Sequence, residues 1–129
     1  MARFEHADVM DNGLAYLKAQ CNKIALISGY TVGDSYATVN AAILADAAMT
    51  SADIVLGSSG NNRTATVAGK TDPSANAGGG GANSHTALLD TVNSKVLYVT
   101  EEDAAQSIIA GNAVAIAGFV ITRTQPVAP

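Results

Sequence analysis

The sequence predicts an α+β fold: an N-terminal helix, then a mainly antiparallel β-sheet or sandwich of about five or six strands, with a long glycine-rich loop. Three observations carry this reading. Met10, Leu14, Leu17 and Cys21 recur at helical spacing. From residue 53 onward, short β-branched runs are separated by turn residues. Thr86–Thr100, TALLDTVNSKVLYVT, sets two β-rich runs on either side of a polar stretch. The chain has 129 residues, which fits a single domain spanning 1–129.

The elements follow in order. Residues 1–8 read as an arm, with two charges and the isolated Phe4 before Asp8. Asp8 is placed to cap a helix over about 9–21. Gly13 lies inside that helix and costs it about 1 kcal/mol relative to Ala. Lys23–Ser28 reads as a strand, with Ile24 and Leu26 on one side and Ile27 on the other. Asp34 is placed to cap a second helix running to Ala48, with Tyr36, Val39, Ile43 and Ala47 on one face. The later part, Ala41–Met49, also reads as extended chain. Asp53–Leu56 is a short apolar run, and Arg63–Lys70 alternates as a half-exposed strand does.

Between Thr71 and Ser84 the composition falls to small and polar residues with four consecutive glycines, Gly78–Gly81. High backbone entropy and nothing to bury predict a flexible loop over 71–84. The hairpin Thr86–Thr100 follows, turning at Asp90–Ser94. Thr100 and Asp103 then match a capping box, which predicts a helical turn over Glu101–Ile109. Ala113–Thr124 reads as the last strand, with Val114, Ile116, Val120 and Thr122 on one face and Gly118 at a bulge. Residues 125–129 form a tail.

Composition narrows the function. The apolar fraction is 48% but rests on Ala and Val, with no Trp and only six Phe and Tyr residues. Aromatics normally supply much of a core's buried area. A core this thin points to added stability from association with further copies or a partner. The net charge is −4 and the basic residues are scattered. Nucleic-acid binding needs a clustered basic patch, so it is not expected. No apolar run approaches the roughly 20 residues of a membrane span, and the N-terminus shows no apolar signal core.

Candidate chemistry is sparse. Cys21 is the only cysteine, so no internal disulfide forms. A zinc site would need His6, His85, Cys21 and a carboxylate to converge. Gly69-Lys70-Thr71 resembles the end of a phosphate loop, but Thr64 stands where the first glycine belongs. Glu101, Glu102 and Asp103 suit a helix N-terminus better than calcium, because adjacent carboxylates point apart. His85 beside Ser84 lacks a nucleophile motif. No catalytic, metal or cofactor-binding residue is therefore expected, and the chain reads as a non-enzyme.

Taken together, VMDNGLAYLKAQCNKIALIS (Val9–Ser28), ILADAAMTSADI (Ile43–Ile54), the hairpin Thr86–Thr100 and AGNAVAIAGFVI (Ala110–Ile121) resemble a family of small virion proteins of tailed bacteriophages. The resemblance covers most of the chain except 71–84. It implies a capsid cement, or decoration, protein: a homotrimer bound to the major capsid protein on the outside of the assembled head, with no nucleic acid, membrane or cofactor as partner. The arm and tail are the expected contacts, through Arg3, Phe4, Gln125, Pro126 and Val127. A head–tail connector or tail structural protein is the alternative. A carbohydrate-binding tip domain fits less well, since sugar sites usually show exposed aromatics.

Overall fold

The computed structural model describes residues 4–5, 7–60, 62–81, 84–101 and 106–123. They form an α+β structure built mostly of antiparallel strands. The elements are β1 (Phe4–Glu5), α1 (Ala7–Gln20), β2 (Lys23–Ile27), α2 (Tyr36–Ala41), β3 (Ile43–Ala48), β4 (Ile54–Ser59), β5 (Asn62–Val67), β6 (Lys70–Asp72), β7 (Gly79–Gly81), β8 (His85–Asp90), β9 (Lys95–Glu101), β10 (Gln106–Ile108), β11 (Val114–Ile116) and β12 (Phe119–Arg123).

A five-stranded sheet, in the order β1-β9-β8-β2-β3, carries the core on both faces. One strand in from its β3 edge, Ile24, Ala25, Leu26 and Ile27 of β2 are all fully buried. Strand alternation sends Ile24 and Leu26 to one side. There they join Leu14 and Leu17 of α1, and Cys21 just after it, with Ile54, Ala65, Val67, Ile116 and Ile121. Ala25 and Ile27 point to the other side, where Tyr30, Val39, Ala87 and Leu89 gather under α2. Both clusters are largely aliphatic. Tyr98 and Phe119 stack at the margin of the larger one, with ring centroids 5.9 Å apart.

The first helix departs from expectation at both ends of its opening half. It begins at Ala7, so Asp8 lies within it and not at its cap. Gly13 has φ 71° and ψ −163°, which breaks the helix into two pieces. Only glycine enters that region without steric penalty. The second half holds as read: Leu14, Leu17 and Cys21 are buried. Lys18 reaches from this half to the carbonyl oxygens of Ser51 and Ile54, at 2.5 and 2.6 Å, and ties α1 to the start of β4.

The second helix is short. Ser35, not Asp34, caps it by accepting the Thr38 N–H. Asp34 instead accepts the N–H of Thr31 in the preceding turn. After Ala41 the chain becomes β3, which is the extended alternative. Pairing of Ile43–Ala48 with β2 buries Leu44 and Ala45, a gain that outweighs the helix preference of the alanines.

The hairpin β8–β9 forms as expected. The carboxylate of buried Asp90 accepts from the Val92 and Asn93 N–H groups and from the Asn93 side chain, which fixes the turn. Asn22 locks onto the same turn through two bonds with Thr91. The helical turn expected over Glu101–Ile109 is not found: Glu101 ends β9, and Gln106–Ile108 is a strand paired with Gly79–Gly81. Glu102 and Asp103 lie outside the described residues. The loop expected over 71–84 carries that same strand β7 and the end of β6, so backbone pairing replaces the missing side-chain packing.

The last strand is two strands. Residues 62–72 and 114–123 form one antiparallel ribbon whose register is the same above and below an interruption: Phe119 pairs with Val67 and Ile116 with Lys70. Two residues are skipped on each side, so Gly118 marks a symmetric break and not a bulge. A Cβ on Gly118 would strike the carbonyl oxygen of Val67 and lie 2.6 Å from the Gly69 nitrogen. The two backbones touch there because both residues are glycine. The inward face also switches parity across the break. Ala65, Val67 and Ile121 are buried on one side of it, and Asp72, Val114 and Ile116 on the other. Val120 and Thr122 therefore do not share a face with Val114 and Ile116; they are exposed.

Gly118→Ala is expected to destabilise the domain by roughly 1–3 kcal/mol, as overpacking does. Urea unfolding followed by circular dichroism measures it; an unchanged midpoint would contradict the backbone contact.

Candidate functional site

The break in the ribbon sets β12, β5 and β4 apart as a three-stranded sheet with its own two faces. Its inner face joins the core through Ile54, Ala65, Val67 and Ile121. Its outer face is built from the alternate positions. Val55 pairs with Thr66, and Thr66 with Val120, so the three stand in one row. Val55 is 59% exposed and Val120 56%. The next row is Gly57, Thr64 and Thr122. With Asn62 and Ser59 at the end, this face carries no charged residue among the described residues of the three strands, although charged residues make up 14% of the chain. It is a strip of β-branched side chains held rigid at χ1. Charge depletion of this kind characterises the centres of protein interfaces.

The inner face ends differently. Arg63 and Arg123 are 60 positions apart in sequence and directly opposed in register. They line a notch of about 280 Å³ with Leu14, Ala15 and Leu56. Arg63 is exposed and Arg123 half-buried. Strand pairing thus sets two cationic residues side by side at the end of the sheet. The scattered basic residues gave no sign of this, since only strand register brings the two together.

His6 lies outside the described residues, and among the described ones the other candidates do not assemble a reactive centre. Ser84 and His85 are both buried, and neighbouring residues of extended chain point to opposite faces. His85 lies 6.3 Å from Tyr30, ring centre to ring centre, on the side of the smaller cluster. Lys70, which stood in the phosphate-loop resemblance, pairs with Asp53 at 2.8 Å. Glycine at 69 serves the backbone contact with Gly118. Burial pushes the Cys21 thiol up to about 11, although Lys23 and Leu89 backbone hydrogen bonds oppose the shift. Among the described residues no group of three or more His, Cys, Asp or Glu is arranged to hold a metal. Among the same residues no helix is long and apolar enough to cross a membrane.

Of the expected contact residues, Arg3, Gln125, Pro126 and Val127 lie outside the described residues. Phe4 does not hang free in an arm: its backbone pairs with Val99 in β1, at the edge of the five-stranded sheet.

Two measurements test these environments. Asp53 is held below the usual carboxylate range, first by its hydrogen bond with Lys70 and then by the Thr50 N–H. Such a carboxylate stabilises the fold above its unfolded value, near 4, and that contribution is lost as pH falls through the depressed folded value. The stability difference between the wild type and Asp53→Asn should therefore be present at neutral pH and vanish in acid; a difference independent of pH would refute the pairing. Cys21 should resist a thiol-specific disulfide reagent at pH 8 in the folded protein and react once unfolded, and rapid native labelling would contradict its burial.

No protein-family model, curated protein or solved structure matches this chain.

Proposed function

We propose that this chain is a virion structural protein of a tailed bacteriophage, a capsid cement protein that binds the outside of the assembled head. The observation that carries the reading is the uncharged β-branched face of β4, β5 and β12. A rigid strip such as Val55, Thr66 and Val120 loses little side-chain entropy when covered. In this reading the three-stranded and five-stranded sheets act as a small sandwich, and the strip is its docking side toward the major capsid protein. Three copies around a symmetry axis would engage several capsid subunits at once. Each contact can then be weak, because linked sites multiply their effect. A protein that binds only the assembled lattice stabilises the lattice by mass action. The acidic net charge suits a position outside the shell, away from nucleic acid. The role is structural and assigns no catalytic step.

Copy number in purified particles, by quantitative mass spectrometry against the major capsid protein, tests the proposal. A ratio of the same order as the capsid protein is expected. A ratio of a few per cent or less would favour a connector or tail component, and absence from the particle would overturn the assignment. Val55→Glu and Val120→Glu, both at exposed positions, should leave the fold intact and weaken binding to heads by about tenfold or more, the cost of burying a charge at an interface centre.

A further inference from the structure

The edge of the three-stranded sheet along β4 is a surface separate from the docking strip. Backbone groups alternate along an antiparallel strand: one residue's N–H and C=O point to the paired strand, the next residue's point away. Two bonds fix the phase here. The Asp53 carbonyl accepts the Ala68 N–H at 2.9 Å, toward β5, and the Ile54 carbonyl accepts the Lys18 ammonium at 2.6 Å, away from it. The N–H and C=O groups of Leu56 and Ser58 therefore also point away from β5, and among the described residues no strand pairs with β4 on that side. Soluble proteins ordinarily guard such an edge with charges, prolines or bulges. Ile54–Ser59 has no charged residue and no proline, and its register with β5 is unbroken. Val55 and Leu56 are 59% and 37% exposed and point to opposite faces, so the edge is apolar on both.

We infer that β4 pairs antiparallel with β4 of a second copy, about a two-fold axis through Gly57. A self-complementary edge suits that occupant. Two copies of net charge −4 repel each other, and a contact that meets itself doubles any charge it carries; this edge carries none. The bonds already made select the register. With outer face kept beside outer face, a residue opposes one of the same parity in the second copy. Setting Leu56 opposite Ser58 of the second copy, and Ser58 opposite its Leu56, lets each pair exchange both N–H···O bonds. One step in one direction spends the Ile54 carbonyl that Lys18 holds. One step in the other sets Leu56 against Gly60, which lies in a turn at φ 61°. In the selected register the two Gly57 residues meet as a non-hydrogen-bonded pair, where Cα atoms approach to about 4.5 Å and glycine leaves the axis clear. The three-stranded sheet is doubled and its uncharged outer face becomes continuous across the axis. The contact needs no virion role. On a phage head it would join neighbouring cement trimers in pairs, and only that use rests on the function proposed above.

The test uses the full chain, labelled with ¹⁵N. Sedimentation equilibrium should show the mass doubling as concentration rises to about 1 mM, the range in which a small contact registers. Over the same range, amide hydrogen exchange at Leu56 and Ser58 should slow by about tenfold or more. Exchange at Val55 and Gly57, whose N–H groups point to β5, should not change. Ser58→Pro removes an outward N–H and leaves the β4–β5 bonds in place, so the folded variant should not double. Ser58→Ala keeps that N–H and should double as the wild type does. A mass that never doubles would overturn the contact and leave the edge to a strand of another protein. Doubling with no change in exchange at Leu56 and Ser58 would overturn it as well. The exchange pattern of the wild type decides the matter even if Ser58→Pro misfolds. Doubling by a chain that proves absent from phage particles would keep the contact and discard the virion role.

Discussion

Everything distinctive about the surface depends on two glycines touching. Gly69 and Gly118 let the two strands of one ribbon approach backbone to backbone, and there the inward face changes parity. Without that change, Val114, Ile116 and Ile121 could not all be buried along one chain, since an even and an odd position would fall on opposite sides. The ribbon thus serves two layers. One half packs beside β3, where Asp72 accepts the Asp46 N–H, and the other half forms the three-stranded sheet. Both the uncharged strip and the arginine notch are products of the second half.

The remaining architecture is organised around β2 and the residue before it. A strand buried on both faces must be paired on both edges, and β2 is, with β3 and β8. Asn22 concentrates the ties at its entry. Its N–H donates to Leu89, its carbonyl accepts from Met49, and its side chain holds Thr91. The end of α1, the hairpin turn and the exit from β3 are therefore fixed by one short segment. Such backbone satisfaction matters more in a core with few aromatics, where apolar area alone is modest.

Parts of this were legible in the sequence and parts were not, for physical reasons. Helical spacing of Leu14, Leu17 and Cys21 is a local signal, and it marked the buried face of α1. The hairpin was legible because Asp90 and Asn93 carry turn chemistry between two β-rich runs. Capping signatures were less decisive. The pattern of Thr followed three residues later by Asp occurs at Thr31–Asp34, and also at Thr50–Asp53 and Thr100–Asp103, which contrast. The earlier of these last two closes a 3-10 turn, where Asp53 accepts the Thr50 N–H, but in the later one Thr100 belongs to a strand. Long-range pairing, invisible in a short window, separates the two. The Gly78–Gly81 stretch misled for a related reason, since its partner strand lies more than 20 residues away. The arginine notch was beyond reach of composition, because it exists only once the register of β5 and β12 is set.

The segment after β6 shows how a fold can hold a stretch of chain without specifying it. Asn76 and Ala77 donate their N–H groups to Leu44, and Ala75 exchanges backbone bonds with Asn112 and Gly111. Apart from buried Ala75, half-buried Ala77 and the Asp72 carboxylate that accepts the Ser74 N–H, the strap over the edge of β3 is secured by main-chain atoms that every residue except proline possesses. Its exposed positions are accordingly open to substitution, and two chains sharing this geometry could differ freely along it. The β3 edge stays bonded at Leu44 whatever those side chains are, so drift in this strap need not free that carbonyl for unwanted pairing.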